Sequence, residues 1–211
     1  NIEFTNSGNQ FLLPELESNS YNLLSNEPLG STDFLGLVNW ASATDTGKDS
    51  RPWGDSVEGD VYTVFTSAGT SVPAWKPHDG KTYWCHGYTF GGHSARGGPF
   101  SLWGNSVSTI LNDEGWEHVC CGMAYGGIVI FGSGGDISHS GIISNLEQKG
   151  GKFDEQRSMI RSKWGQKSLN ISSFSANASA YGNYRCYVKS IQRQQGCCPK
   201  AGSREIEPSK K

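Results

Sequence analysis

The chain has 211 residues, enough for one domain with a buried core. Its formal net charge is -2 and only 18% of its residues are charged, which excludes the broad basic field needed to bind nucleic acid or an anionic membrane. No apolar run approaches the ~20 residues of a membrane span, and 28 glycines favour loops, turns and short strands over long helices.

Residues 1–57 are rich in Asn, Ser, Gly and Asp and are expected to be an irregular N-terminal extension. The start at Asn1 suits a processed secreted protein or a piece of a larger carrier or parent polypeptide. Residues 58–192 are expected to form the folded unit, and 193–211 a polar tail. "GDVYTVFTSA" (59–68) is β-rich and bounded by glycine, so it is a strand. "SVPAWKPHDGKTYW" (71–84) is punctuated by Pro and Gly and is expected to be a loop leading to Cys85. "GYTFGGHSARGGPF" (87–100) is too glycine-rich for more than a turn or two of helix. In "SLWGNSVSTILNDEG", Leu102, Val107, Ile110 and Leu111 recur at helical spacing, and Gly115 ends the helix.

A β signal follows. Ile128–Phe131 is a continuous apolar run suited to a central strand. Ser138–Leu146 alternates between faces, Arg157–Lys163 is a third strand, and Tyr184–Ile191 a late one. The expected fold class is α+β, a helix packed on an antiparallel β-meander.

Six cysteines occur, with Cys120–Cys121 and Cys197–Cys198 adjacent in sequence. Neighbouring cysteines bridge one another only with strain, and neither doublet has C-x-x-C zinc spacing. Disulfides among Cys120, Cys121, Cys186, Cys197 and Cys198 are one expectation, and a thiol or zinc staple that includes Cys85 is another. Asn170 and Asn177 open N-x-S sequons, which matter only on a eukaryotic secretory route.

Cys85, in "TYWCHGYTFGG", poses the chemical question. A nucleophilic cysteine needs a base to form its thiolate and a third group to orient that base. His139 in "ISHSGII" is the best base, because Ser138, Ser140 and Gly141 leave its ring uncrowded. Ser162 or Gln166 is placed to hold the imidazole. The Cys85 N–H, with Tyr83 nearby, supplies an oxyanion donor. Gly87 allows close approach of substrate, His86 steers the cysteine at the substrate-binding surface that Tyr83 shares, and Trp164 lines the cleft or closes the core. His78, His93 and His118 read as solvated. Trp75, Trp84, Trp103 and Trp116 form either core or an aromatic groove for glycan or peptide.

Three blocks in this order, "CHGYTFGG" (85–92), "IVIFGSGGDISHSGIIS" (128–144) and "SKWGQ" (162–166), resemble the NlpC/P60-like branch of papain-like cysteine hydrolases. The resemblance implies a papain-like fold over roughly 58–190, Cys85 as nucleophile, His139 as base, and a polar third residue on the following strand. It implies amidase, peptidase, deamidase or acyltransferase chemistry on a peptide, peptidoglycan or protein, with no metal or organic cofactor. A toxin or effector module, delivered or secreted, suits it. Gly127 stands where the family usually has Asp, and His-Gly follows Cys85 where many cell-wall members have Ser-Gly. Two other classes compete: a non-catalytic glycan- or peptide-binding module, and a disulfide- or zinc-stapled structural domain.

Overall fold

A computed structural model describes residues 38–50, 57–133, 136–165, 167–189, 204–206 and 208. Gln166, Cys197, Cys198 and most of the expected N-terminal extension lie outside the described residues.

Three antiparallel sheets make up most of the fold, with three α-helices between them. Strands take 46% of the structure and helices 20%, so the expectation of a papain-like helix on a simple meander is corrected to a β-rich fold. The first sheet has the order β1-β2-β3-β4, formed by Asn39–Ser50, Gly59–Phe65, Ser71–Pro77 and Ser101–Leu102. The second has six strands in the order β11-β10-β7-β6-β12-β5. Along the chain these are β5 (Trp116–Val119), β6 (Ile128–Ser133), β7 (Asp136–Asn145), β10 (Met159–Lys163), β11 (Leu169–Ser173) and β12 (Tyr184–Lys189). A small hairpin, β8 (Gln148–Lys149) with β9 (Lys152–Phe153), forms the third sheet. The helices are α1 (Cys85–Thr89), α2 (Gly104–Asp113) and α3 (Phe174–Tyr181).

Several strands arise where the sequence pattern gave none, β1 and β3 among them. β1 lies inside the expected irregular extension and is mostly exposed, so it has no apolar alternation to reveal it. Its backbone pairs with β2 from Asn39–Phe65 to Ser50–Gly59. β3 carries Pro73 and Pro77, which argue against a strand that is paired on both sides. The pairing of β3 with β4 touches only Ala74 and Trp75, so neither proline has to donate there.

The core is divided by the six-stranded sheet. On one side Ile128, Ile130 and Ile137 pack with Phe90, Leu102, Val107 and Ile110 from α1, β4 and α2. On the other, Val129, Phe131, Ile143 and Ile160 pack with Phe174, Tyr184 and Val188. Full burial of such side chains is worth roughly 1.5–3 kcal/mol each, so the sheet is anchored from both faces. Gly87 lets α1 lie against the backbone before β4, since a Cβ there would sit 2.3 Å from the Phe100 carbonyl oxygen. The glycine therefore serves packing and not the substrate approach expected of it.

One disulfide, Cys121–Cys186, ties the turn before β6 to the middle of β12, and Cys120 is also disulfide-bonded. Residues 204–206, within the expected tail, return to β12, where Tyr184 N–H donates to the Arg204 carbonyl and Ile206 N–H to the Tyr184 carbonyl.

α3 was not foreseen. Ser173 caps its N-terminus by accepting from Ala176 N–H at 3.2 Å. Asn177 is fully buried, and its Nδ2 donates to Ser172 Oγ at 2.9 Å and to the Ser173 carbonyl at 2.8 Å. Asn170, on β11, is exposed. Among the described residues, no helix is long and apolar enough to cross a membrane.

Candidate active site

Cys85 is the first residue of α1, is buried, and is the free cysteine among the described residues. The expectation of a disulfide through this sulfur is thereby corrected. As the first helical residue, its N–H has no partner within the helix. Trp84 N–H is taken up by Ser101 Oγ at 3.0 Å, which fixes the residue before the cysteine.

β7 brings the base. His139 pairs across to Phe131 on β6, and the ladder between β7 and β10 stops at Ile142. The small neighbours leave room for a ring, as the sequence indicated. A Cβ on Gly141 would lie 2.4 Å from Ile160 Cγ2, so that position is filled by β10 instead. His139 is 1% exposed. The imidazoles of His139 and His86 both lie near enough to the Cys85 sulfur to act on its charge.

Burial opposes a charge on Cys85. The imidazoles of His86 and His139 outweigh it and hold the thiol well below its ordinary range. Burial likewise opposes a charge on His86, but the adjacent Cys85 sulfur overcomes it and makes the imidazole more basic than an ordinary histidine.

His86 was expected at the substrate surface. It is 3% exposed and turned inward, with Nδ1 2.7 Å from Ser140 Oγ and Nε2 3.3 Å from the Ile137 carbonyl oxygen.

Of the two expected orienting groups, Ser162 and Gln166, only Ser162 lies among the described residues. Ser162 is fully buried on β10, but its Oγ has no hydrogen-bond partner, and neither does His139 Nε2, among the described residues. Aromatic rings hold the imidazole instead. Tyr181, the last residue of α3, stacks on it at 4.0 Å between centroids and 9° between planes. Phe131 lies at 5.7 Å and Trp164 edge-on at 6.3 Å. Sequence reasoning missed Tyr181 because nothing local links it to His139. Only the cap at Ser173 signals the helix that delivers it.

Replacing Tyr181 with alanine will slow turnover by about 100-fold through misplacement of the ring, while Ser162→Ala will leave the rate unchanged. Initial rates on a common amide substrate decide between the two. Equal losses would restore Ser162 as the orienting group.

Tyr83 is partly exposed beside the cysteine and carries the Lys163 ammonium 4.4 Å from its ring centroid. Lys163 Nζ donates to the Lys167 carbonyl at 2.8 Å, and burial lowers its basicity. Trp164 is half-buried with its Nε1 unpartnered. Tyr83 and Trp164 are thus partly exposed beside the buried Lys163. The aromatic groove expected of a binding module is absent from three of its four members, since Trp75, Trp84 and Trp116 are buried.

Of the histidines read as solvated, His78 is exposed and pairs with Asp60 at 2.8 Å. His118 stacks on Tyr187, and His93 packs between Tyr83 and Tyr88. Burial makes both less basic. Asp49, Asp60 and His78 gather their ligand atoms within 4.8 Å of one another, but the Asp60–His78 pair accounts for that cluster without an ion.

No family model matches the chain, and no curated protein or solved structure matches it.

Proposed function

We propose that the protein is a cysteine-dependent hydrolase that attacks amide carbonyls, as an amidase, peptidase or deamidase. One observation carries the reading: a free cysteine at the start of a helix, with the imidazoles of His86 and His139 beside its sulfur and a thiol pushed well below its ordinary range. A structural cysteine in apolar surroundings would be shifted the other way. The resemblance of the three sequence blocks to NlpC/P60-type hydrolases supports the same chemistry.

In this mechanism His139 takes the proton of the Cys85 thiol, and the resulting thiolate adds to the amide carbonyl carbon. The oxyanion takes the Cys85 N–H as one donor. Protonated His139 gives its proton to the departing amine as the C–N bond breaks, leaving a thioester. Neutral His139 then takes a proton from water, the hydroxide adds to the thioester, and the sulfur leaves as thiolate. The cycle closes with His139 protonated again. The chemistry needs no metal or organic cofactor.

Disulfide bonding at Cys120, Cys121 and Cys186 supports a secreted protein, or an effector delivered into an oxidising compartment. A peptide, a peptidoglycan stem or a protein side-chain amide is the substrate class that the resemblance to NlpC/P60-type hydrolases implies. Incubating the protein with cell-wall sacculi and with a proteome, then reading cleaved or deamidated amides by mass spectrometry, tests the reading. New carboxylates at amide positions are the expected result. No change in either pool would sink it.

A further inference from the structure

Lys163 is the last residue of β10 and is 7% exposed. Its ammonium has three hydrogens to place. One goes to the Lys167 carbonyl at 2.8 Å, and the charge rests 4.4 Å from the Tyr83 ring centroid. Among the described residues no carboxylate pairs with it, since the ion pairs there are His78–Asp60 and Arg157–Asp154. A cation taken out of water without a counter-charge costs stability. A glutamine could bond the Lys167 carbonyl and a methionine could fill the space, so neither the turn nor the packing calls for a charge.

The ammonium is bracketed by the site. Tyr83 beside it stands two residues before Cys85, and Trp164, the next residue along, lies edge-on to His139 at 6.3 Å. On its other side the strand pairing sets Lys163 opposite Leu169 of β11, the edge strand of the six-stranded sheet. Residues directly opposite in an antiparallel pair share a face of the sheet. Leu169 is 46% exposed and Ile171 52% exposed. The face is therefore open over Leu169, which gives a substrate group its way to the ammonium. Arg161, two residues earlier on the same face, stands opposite Ile171 and also has no ion pair among the described residues.

We propose that Lys163 is the specificity-determining residue of the site: its ammonium takes a carboxylate of the substrate, reached over Leu169, about one residue away from the carbonyl that Cys85 attacks. The favoured substrates are then amides with a free carboxylate on the adjoining residue, as in acidic peptides. A neutral amide of the same shape leaves the ammonium without a counter-charge and binds less tightly. The inference deepens the hydrolase reading and rests on Cys85 as the nucleophile.

The test uses two alkylating probes on the full chain at neutral pH, N-iodoacetylglycine and N-iodoacetylglycinamide. Both join the same carbon to the sulfur and expel iodide, and they differ only in carrying a carboxylate or a carboxamide one residue away. Mass spectrometry reads the Cys85 adduct, and the ratio of the two rates cancels changes in the reactivity of the sulfur itself. In the wild type the ratio is expected to exceed that of N-acetylcysteinamide in solution by about 10-fold, the worth of one charge-assisted hydrogen bond. Lys163→Met is expected to lose most of that excess and Lys163→Arg to keep it, whereas a lysine that only ties the turn would move unfolding and leave the ratio alone. Leu169→Glu, which sets a carboxylate opposite the ammonium, is expected to lose the excess as well, and it carries the test if Lys163→Met does not fold. A wild-type ratio equal to the solution value, or an excess that survives Lys163→Met, overturns the inference. If the excess depends on Lys163 while no amide in sacculi or proteome is cleaved, the hydrolase reading falls and the carboxylate site remains. If amides are cleaved and the excess is absent, the carboxylate site falls and the hydrolase reading stands.

Discussion

Cys85→Ala will abolish amide hydrolysis, with the rate falling by more than about 1,000-fold, while the folded state loses no more than about 1–2 kcal/mol. The two halves of the expectation have separate causes. In the proposed mechanism the sulfur is the atom that bonds to the substrate carbon, and alanine has no nucleophile to put in its place. The stability cost is small because alanine keeps the helix start and the packing of Trp84, Gly87 and Phe90 around it. What changes in the folded protein is the surroundings of His86, which loses the sulfur that makes it more basic and is left with the burial that makes it less so. Residual rates on any cleaved substrate, read beside thermal unfolding, check both halves. A substantial rate in the folded alanine variant would remove the nucleophile from the mechanism.

Reduction of the Cys121–Cys186 bond is expected to cost about 4 kcal/mol, from the entropy of a loop closed over a 65-residue separation. Both cysteines are fully buried, so the reduced thiols remain packed and the loss falls mainly on the freedom of the unfolded chain. The bond pins β12, β12 pairs β6, and β6 pairs the strand that carries His139. Denaturant midpoints with and without reductant measure the effect. A midpoint that does not move would mean that the bond contributes nothing to holding the sheet.

Parts of this arrangement were legible along the chain because local chemistry announces them. α2 has helical apolar spacing and a terminating glycine, and Ile128–Phe131 is a buried strand whose composition says so. His139 could be singled out because its neighbours are small. β1 and β11 could not be read in the same way, because both are mostly exposed and are held by backbone pairing, which leaves no mark on side-chain pattern. β3 was hidden by its prolines. At the site, Cys85 was visible from its glycine-rich setting, but the inward turn of His86 depends on Ser140 and Ile137, and the stacking of Tyr181 depends on a short helix arriving from the far side of β11. Such meetings are set by tertiary packing. Ser162 was chosen for its place on the neighbouring strand, which was sound, but a hydroxyl on the right strand does not have to point at the ring.

The two N-x-S sequons do not stand on equal terms in the folded protein. Asn170 offers its amide to solvent on β11, whereas the Asn177 amide nitrogen is committed to Ser172 and Ser173 inside the wall that supports Tyr181. A sugar attached at Asn177 before folding would have nowhere to go without evicting α3, so of the two only Asn170 can carry a glycan while the ring over His139 stays in place.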